Sequence, residues 1–272
     1  MTMRLLNDAG AAEQLFTDCG GTDFDYLRHH FPRFEATLGE LNRGWSPGIG
    51  ARVLDVGAHW LHQAALFSAA GYQVSAVDLP LTLEQECVRR AAERLGIGLH
   101  PVTNLADPVE LDHLPDDSFD LILFSEIIEH ITFNPVRFWR QMYRLLRPGG
   151  RIVLTTPNYY SPYSRLWDWR RFLRGMGGGI SVDEILRQHT YAHHWKEYSA
   201  RELIYYFLRL SADFNTVKAC HLPCFDRSRA PIPLIAKLAY VLQRRDPRQC
   251  ANIYLEVELA QKRAGIQIEP SW

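Results

Sequence analysis

The string Glu126-Ile127-Ile128-Glu129-His130 places two carboxylates and one imidazole close together in the chain. If the chain turns helical there, residues three or four positions apart share one face, so Glu126, Glu129 and His130 would converge. Two carboxylates and an imidazole suit a divalent ion and leave open positions for substrate oxygens. Two neighbouring carboxylates also repel each other unless a cation or a proton lies between them. The spacing therefore predicts a metal site.

The identity of the metal stays open at this point. Carboxylates suit Mg²⁺, whereas a histidine ligand shifts the preference toward Mn, Fe, Co or Zn. Clusters of this kind also occur as hydrogen-bond networks that hold a loop without any metal. In that case His130 is a candidate general base.

The elements on either side of this string predict a unit of parallel sheet. An apolar strand over Phe119 to Phe124 runs into it, a helix follows at about Asn134 to Leu146, and a second apolar strand covers Arg151 to Thr156 after the turn Arg147 to Gly150. Strand, helix and strand in this order form a right-handed crossover. Chemistry in such a sheet lies past the carboxyl ends of the strands, which is where Ser125 to His130 fall.

A similar unit lies earlier in the chain. A strand over Ala51 to Gly57, a helix over Leu61 to Ala70 and a strand over Tyr72 to Val77 lead to Asp78. An acidic residue about twenty positions after a glycine turn is typical of a nucleoside-binding half-site. The Asp78 carboxylate would accept hydrogen bonds from both ribose hydroxyls.

Taken in order, VLDVG, the strand ending in Asp78, FDLILFSEIIEHI and LLRPGGRIVLTTPN resemble the motifs of class I S-adenosylmethionine-dependent methyltransferases, over about Arg52 to Asn158. The resemblance implies a Rossmann-like α/β fold with seven mostly parallel strands and helices on both faces. It places Asp55 and Gly57 at the methionine moiety, Asn104 or Asp107 at the adenine, and Ser125 towards the substrate. The full set of cofactor contacts that it implies is Asp55, Gly57, Ala58, His59, Asp78, Leu79, Asn104, Asp107 and Ser125.

The E-x-x-E-H string also resembles the metal-binding motif of the small-RNA 2′-O-methyltransferases and of the ubiquinone-biosynthesis O-methyltransferases. In the former, a downstream histidine completes the site just before a short Glu-aromatic-Ser/Thr segment. His193 and His194 precede Glu197-Tyr198-Ser199 here. The resemblance therefore makes His194 the first choice for the fourth ligand, after Glu126, Glu129 and His130, and His193 the second. The implied catalytic residues are Glu129, His130 and His194.

The glycine turn departs from the family pattern. Where the family continues as G-x-G-x-G, this chain has Gly57-Ala58-His59-Trp60-Leu61. Glycines at the second and third positions let the backbone approach the cofactor and pack helix against strand. Their loss could weaken cofactor binding, reroute the loop or mark a non-catalytic scaffold. It also disfavours a dinucleotide dehydrogenase, since a pyrophosphate needs close amide approach.

The rest of the chain predicts two additions to the methyltransferase domain (48–272). Residues 1–47 are expected to form a helical flap, which either packs on the sheet edge or forms a lid over a small ligand. Residues 159–199, rich in aromatic residues and arginine, are expected to form an inserted substrate cap. The segment Pro231 to Arg245 is apolar with a basic end. It is either a helix packed on the cap or a peripheral membrane contact.

The composition narrows the function classes. The formal net charge of −1 argues against a nucleic-acid partner. No apolar run has the length of a membrane span, the start lacks a signal-peptide core, and five cysteines at irregular spacing do not suggest a disulfide framework, so we expect a cytoplasmic protein. The sequence predicts an O-methyltransferase that acts on a hydroxyl of a small molecule, either a sugar or glycoconjugate or an aromatic metabolite, with S-adenosylmethionine and a possible metal ion. Its rivals are an RNA ribose 2′-O-methyltransferase and the non-catalytic scaffold.

Overall fold

The computed structural model of the protein describes residues 6, 8–45, 47–161, 173, 179–189, 192–222 and 250–271. Part of the predicted cap and all of the segment Pro231 to Arg245 lie outside the described residues, so those predictions and the domain boundaries stay predictions. Across the described residues, no helix combines the length and the apolar character that a membrane crossing requires.

Two helices precede the sheet. Helix α1 (Ala9–Asp18) begins at Asp8, whose side chain accepts a hydrogen bond of 2.8 Å from the Ala11 amide and so caps the first turn. Helix α2 (Asp25–Gly44) has 20 residues, and its apolar side chains at helical spacing pack into the core. Those buried apolar residues are Leu27, Phe31, Phe34 and Leu41.

The first half of the sheet is parallel. Strand β1 (Arg52–Val56) pairs with β2 (Gln73–Asp78), and β2 pairs with β3 (Gly98–Pro101). Helix α3 (His62–Ala69) connects β1 to β2, and the helical region after β2 is split into α4 (Pro80–Leu83) and α5 (Glu86–Leu95). The crossover from β1 through α3 to β2 agrees with the sequence-based expectation, with shifts of a few residues at its ends.

The second half contains the chemical string. Strand β4 (Phe119–Ser125) pairs parallel with β1 and with β5 (Leu146–Pro157), and α6 (Val136–Leu145) connects the two strands. The predicted turn at Arg147 to Gly150 is part of β5 instead. It forms an irregularity in the β4–β5 register, with Gly149 at a φ of 77°.

The last elements complete the sheet. They are α7 (Val182–Arg187), α8 (Ala200–Leu210), β6 (Phe214–Leu222) and β7 (Asn252–Leu259). The strand order is β3-β2-β1-β4-β5-β7-β6, and β7 runs antiparallel to both of its neighbours. Helices cover both faces, which confirms the predicted seven-stranded, mostly parallel α/β fold. The carboxyl ends of β1, β2, β4 and β5 share one edge, and that edge carries the predicted site.

Candidate active site

A buried carboxylate marks the carboxyl end of β1. Asp55 is only 2% exposed, and its Oδ2 has no hydrogen-bond partner among the described residues. Burial, with a smaller contribution from Asp78, raises the pKa of the Asp55 carboxyl to about 7. A buried polar atom without a partner is costly, so Asp55 Oδ2 is suited to a ligand with a cationic hydrogen-bond donor.

The turn after β1 has the left-handed backbone of a glycine loop without its glycines. Gly57 has a φ of 79°, which favours glycine, and a Cβ there would displace the Ile127 side chain. His59 (φ 48°) and Leu61 (φ 66°) adopt the same region with side chains, which is strained for both. The loop is therefore not rerouted by the missing glycines.

Asp78 faces this turn. Its Oδ2 accepts a hydrogen bond of 2.6 Å from the His59 amide, and its Oδ1 accepts one of 2.7 Å from the Leu79 amide. Each carboxylate oxygen can still accept a further hydrogen bond, so Asp78 as a ribose contact stays a prediction. The His59 and Trp60 rings lie 3.9 Å apart and pack beside Tyr26 on α2.

A small pocket opens between this turn and β4. Its cavity volume is about 20 Å³, which is room for a water molecule. Helix α2 forms one side of the pocket. Ser125 forms part of the wall and accepts a hydrogen bond of 3.1 Å from Gln63 Nε2. The pocket is lined by Tyr26, Arg33, Phe34, Asp55, Gly57, Ala58, His62, Gln63 and Ser125.

The chain does not become helical directly after Ser125, so the helical turn expected there is wrong, and Glu126 as a metal ligand stays a prediction. Glu126 has a φ of 55°, and a short 3₁₀ turn starts only at Ile128. The Glu126 carboxylate lies against Asn252 Nδ2, at 2.8 and 2.9 Å, and against Arg33 Nη1, at 3.2 Å. Glu126 is thus held by Asn252 and Arg33, although its charge is still close enough to Glu129 to affect the pKa of that carboxyl.

Glu129, His130 and His194 do come together. One potential ligand atom from each lies within 4.8 Å of the other two. Glu129 is 1% exposed, and its Oε2 accepts a hydrogen bond of 2.9 Å from Thr156 Oγ1. Within the described part of the chain, its Oε1 has no hydrogen-bond partner. Burial, and then the charge of Glu126, hold the pKa of Glu129 well above its usual range.

Hydrogen bonds at Nδ1 set the orientation of both imidazoles. His130 Nδ1 lies 3.0 Å from the carbonyl oxygen of His193, which only accepts, so a neutral His130 carries its proton on Nδ1 and a lone pair on Nε2. His194 Nδ1 lies 3.3 Å from Glu197 Oε1, which favours the same tautomer. The two rings are 4.9 Å apart and nearly perpendicular.

The donor set fits a divalent cation. Glu129 Oε1, which has no hydrogen-bond partner among the described residues, lies 3.9 Å from His130 Nε2. One carboxylate with two imidazole nitrogens is a known type of ligand set for transition metals. The His193 ring points elsewhere, because its Nε2 lies 3.0 Å from the carbonyl oxygen of Glu184. Of the two downstream histidines, His194 is the one in the cluster.

A family model described as a methyltransferase domain matches residues 25–207. This chain belongs to that family. The match begins at the start of α2 and ends within α8, so it includes the pocket and the cluster described above.

The chain resembles several curated methyltransferases over part of their length. It is 29% identical over 171 residues to a ubiquinone biosynthesis O-methyltransferase of Caulobacter sp. (strain K31), covering 56% of this chain and 66% of the relative. The protein with the same description from Xanthomonas oryzae pv. oryzae (strain PXO99A) is 30% identical over 149 residues, covering 55% and 56%. A phosphoethanolamine N-methyltransferase of Arabidopsis thaliana is 30% identical over 107 residues, covering 39% and 21%. The matches span about two thirds or less of these relatives.

Solved structures agree on the fold. An S-adenosylmethionine-dependent methyltransferase from Mesorhizobium loti aligns with a TM-score of 0.54 at 18% identity, covering 85% of this chain and 97% of that one. A 1,6-didemethyltoxoflavin-N1-methyltransferase from Burkholderia thailandensis aligns with a TM-score of 0.55 at 18% identity, covering 93% and 87%. The fold is that of the class I S-adenosylmethionine-dependent methyltransferases.

The two residues predicted to contact the adenine, Asn104 and Asp107, bind other groups of the protein. The Asn104 side chain accepts a hydrogen bond of 3.1 Å from the Ala106 amide, and Asp107 forms an ion pair of 2.6 Å with Arg137. Neither lines the pocket, so an adenine contact from Asn104 or Asp107 stays a prediction.

The site residues predicted from the sequence did not include Tyr26, His30 or Arg33 on α2. Tyr26 and Arg33 line the pocket, and His30 packs on Tyr26. The signal was present, because residues 26, 30 and 33 share one helical face and Arg33 stands among apolar neighbours. Glu197 was missed as well, although its spacing of three from His194 made a contact possible.

Proposed function

We propose that this chain transfers a methyl group from S-adenosylmethionine to a hydroxyl oxygen of a small molecule. The observation that carries the proposal is a pair of buried carboxylate atoms that have no hydrogen-bond partner among the described residues. They are Asp55 Oδ2 at the pocket and Glu129 Oε1 at the cluster, in a chain of the methyltransferase-domain family. Ser125, at the end of β4, lines the pocket with Asp55 and precedes the turn that carries Glu129. Arg33 lines the same pocket and also contacts Glu126.

Three charged side chains are arranged to hold the cofactor. Asp55 would pair with the ammonium of the methionine moiety, since its Oδ2 is buried and lacks a partner within the described residues. Arg33, 4% exposed at the same pocket, would pair with the carboxylate. Asp78 would accept hydrogen bonds from the ribose hydroxyls, because backbone amides already fix its carboxylate.

The cluster would prepare the acceptor hydroxyl. When bound, the sulfonium cofactor supplies an electrophilic methyl carbon, and the acceptor oxygen must lie in line with the sulfur for displacement. The lone pair on Nε2 of His130 or His194 can take the hydroxyl proton as the oxygen–carbon bond forms. The buried Glu129 carboxylate stabilises a protonated imidazole beside it.

We further propose that Glu129, His130 and His194 hold a divalent metal ion. Such an ion would lower the pKa of a coordinated hydroxyl and fix its position. With Glu126 bound to Arg33 and Asn252, the set contains one carboxylate and two imidazoles. That composition favours Mn, Fe, Co or Zn over Mg, which the sequence alone had left open.

The acceptor class rests on the relatives. The sequence predicted a hydroxyl on a sugar or glycoconjugate or on an aromatic metabolite, and the matches to ubiquinone biosynthesis O-methyltransferases support an aromatic hydroxyl. A vicinal diol or catechol would offer two oxygens to the cluster. The four described cysteines are free thiols, which supports the reducing, cytoplasmic setting that we propose.

Two other functions remain as rivals. Ribose 2′-O-methylation of RNA is motivated by the E-x-x-E-H string and opposed by the net charge of −1. The strained loop at His59 and Leu61 favours a non-catalytic scaffold. Asp55 argues against a scaffold, because its buried Oδ2 has no hydrogen-bond partner among the described residues and a bound ligand would supply one.

Calorimetric titration with S-adenosylmethionine and S-adenosylhomocysteine tests the proposal. We expect saturable heat for both, and no heat at millimolar ligand would support the scaffold instead. Methylation of catechols, sugars and RNA oligonucleotides is then compared with and without chelator for the wild type, for Glu129→Ala and for the surface control Glu86→Ala. Turnover that is unaffected by both chelator and Glu129→Ala would refute the metal site.

A further inference from the structure

We propose that Glu197 is a positioning residue that fixes the tautomer of His194 and directs its Nε2 towards Glu129 and His130. This inference rests on the proposed function, because it assigns the residue that makes His194 competent as a ligand or base. Neither the sequence motifs nor the family match assigns Glu197 such a role.

The environment of Glu197 requires a polar partner. Its side chain is 1% exposed, and burial of a carboxylate at that depth is unfavourable unless hydrogen bonds or charges offset it. Its Oε1 lies 3.3 Å from His194 Nδ1, and the His194 side chain is itself only 12% exposed. A carboxylate only accepts hydrogen bonds, so this contact places the proton of a neutral His194 on Nδ1.

Backbone hydrogen bonds connect the segment that carries His194 to the turn that carries Glu129 and His130. The amide of Trp195 donates a hydrogen bond of 2.8 Å to the carbonyl oxygen of Glu129, and the amide of Lys196 approaches the same oxygen at 3.4 Å. The carbonyl oxygen of His193 accepts a hydrogen bond from His130 Nδ1. The segment 193–197 is therefore held against the turn that carries Glu129 and His130, and Glu197 sets the direction of the imidazole within it.

Capping of α8 does not account for Glu197. The first turn of α8 is satisfied by a capping box, in which Ser199 Oγ accepts from the Glu202 amide and the Glu202 carboxylate accepts from the Ser199 amide. Glu197 lies before this box and directs its carboxylate at His194 instead. An outer carboxylate that accepts Nδ1–H also makes Nε2 a stronger base and a better ligand.

The first test needs no metal or substrate. In protein labelled with ¹⁵N-histidine at pH 8, we expect His194 to give the Nδ1–H pattern of ring nitrogen shifts, identified by its loss in His194→Gln. Glu197→Ala should move His194 to the Nε2–H form that a solvated imidazole favours, whereas Glu197→Gln can still accept from Nδ1–H and should keep the original form. An Nε2–H tautomer in the wild type would overturn the proposal without any variant.

The second test measures Co²⁺ binding by its visible absorption. We expect Glu197→Ala to weaken Co²⁺ affinity by about 10–100-fold and Glu197→Gln by less, while S-adenosylhomocysteine affinity stays the same. The control Asp183→Ala removes a carboxylate that is 80% exposed on α7 and should leave Co²⁺ affinity unchanged. Unchanged affinity in Glu197→Ala would refute the positioning role.

The two failures are distinguishable. If the wild type binds no Co²⁺ but His194 has the Nδ1–H tautomer, the metal part of the proposed function fails and Glu197 still orients His194 as a base. If Co²⁺ binds with equal affinity in all variants, the metal site stands and the role of Glu197 fails. Circular dichroism identifies any variant that does not fold, and the wild-type tautomer then decides.

Discussion

Arg33 Nη1 lies 3.2 Å from Glu126 Oε2, and this contact joins the N-terminal helix α2 to the turn that carries the candidate catalytic cluster. The Arg33 side chain is 5% exposed and that of Glu126 is 15% exposed, so the pair is largely removed from water. Because Arg33 also lines the pocket beside Asp55, one guanidinium contacts both the proposed cofactor site and the acidic string.

Replacement of Arg33 should weaken cofactor binding. If Arg33 pairs with the carboxylate of the methionine moiety, Arg33→Gln removes a charge-assisted hydrogen bond of about 1.5–3 kcal/mol, which is roughly a 10–100-fold loss of S-adenosylhomocysteine affinity in calorimetry. Arg28→Gln is the matched control, since Arg28 forms an ion pair with Glu13 near the surface, away from the pocket.

Loss of stability must be separated from loss of binding. Arg33→Gln also leaves Glu126 without its cation, which destabilises a partly buried carboxylate. The double variant Arg33→Gln, Glu126→Gln should recover stability but not affinity. If it binds S-adenosylhomocysteine as tightly as the wild type, Arg33 does not contact the cofactor.

The raised pKa of Asp55 predicts that cofactor affinity increases with pH. Its pKa is about 7 in the folded protein, so it is mostly protonated at pH 6 and mostly ionised at pH 8. An ammonium binds the ionised form better, so S-adenosylhomocysteine affinity should rise from pH 6 to pH 8. In Asp55→Asn the affinity should be weaker and nearly independent of pH in that range. A wild-type affinity that falls as pH rises would contradict the assignment.

The same residue should destabilise the ligand-free protein at higher pH. The folded pKa of about 7 exceeds the ordinary value of 3.8, so between these values the folded state binds more protons than the unfolded state. The free energy of unfolding therefore decreases as pH rises from about 3.8 to about 7, by up to about 4 kcal/mol. Urea denaturation should show Asp55→Asn gaining stability over the wild type across this window.

The fold and half of the site were predictable because they depend on local pattern. Apolar strands that end in polar residues fixed the positions of Asp55, Asp78 and Ser125 at one edge of the sheet. The string after Ser125 was not predictable, because its outcome depends on a left-handed backbone at Glu126 and on partners far away in sequence, Arg33 and Asn252. No periodicity encodes such contacts.

The glycine turn shows the same difference between what the local sequence predicts and what depends on contacts in the folded chain. The sequence identified His59 and Leu61 as replacements for glycine, but not whether the backbone would follow. The structure keeps φ at 48° and 66° because the His59 amide bonds Asp78 and the Leu61 side chain is fully buried in the core. Strain at these two residues is therefore offset by different interactions.

That difference predicts stability effects of different size for two glycine substitutions. Leu61→Gly relieves backbone strain but removes a fully buried side chain, so it should destabilise the protein by about 2–5 kcal/mol. His59→Gly relieves roughly 1–2 kcal/mol of strain and loses only ring contacts with Tyr26 and Trp60, so its stability should stay within about 1 kcal/mol of the wild type. Thermal denaturation compares the two, and a His59→Gly loss as large as that of Leu61→Gly would contradict this account.

Mild acid should loosen the packing of α2 over the pocket. Burial is the main reason that the pKa of His30 on α2 and that of His62 on α3 fall to about 3. In an unfolded or detached state each would return to about 6.5, so that state binds more protons below this pH. The stabilisation from neutral His30 and His62 is therefore fully present above about pH 6.5 and is lost as pH falls towards 3.

Hydrogen exchange of the α2 amides between pH 7 and pH 4.5, corrected for intrinsic rates, measures this effect. Protection should fall with pH in the wild type and fall less in His30→Gln and in His62→Gln. His29→Gln is the matched control, because His29 is the exposed neighbour of His30 on the same helix, and it should follow the wild type. Asp55 acts in the opposite direction over part of this range, so the difference between each variant and the wild type is the decisive quantity. Parallel curves for all four proteins would mean that protonation of these histidines does not control α2.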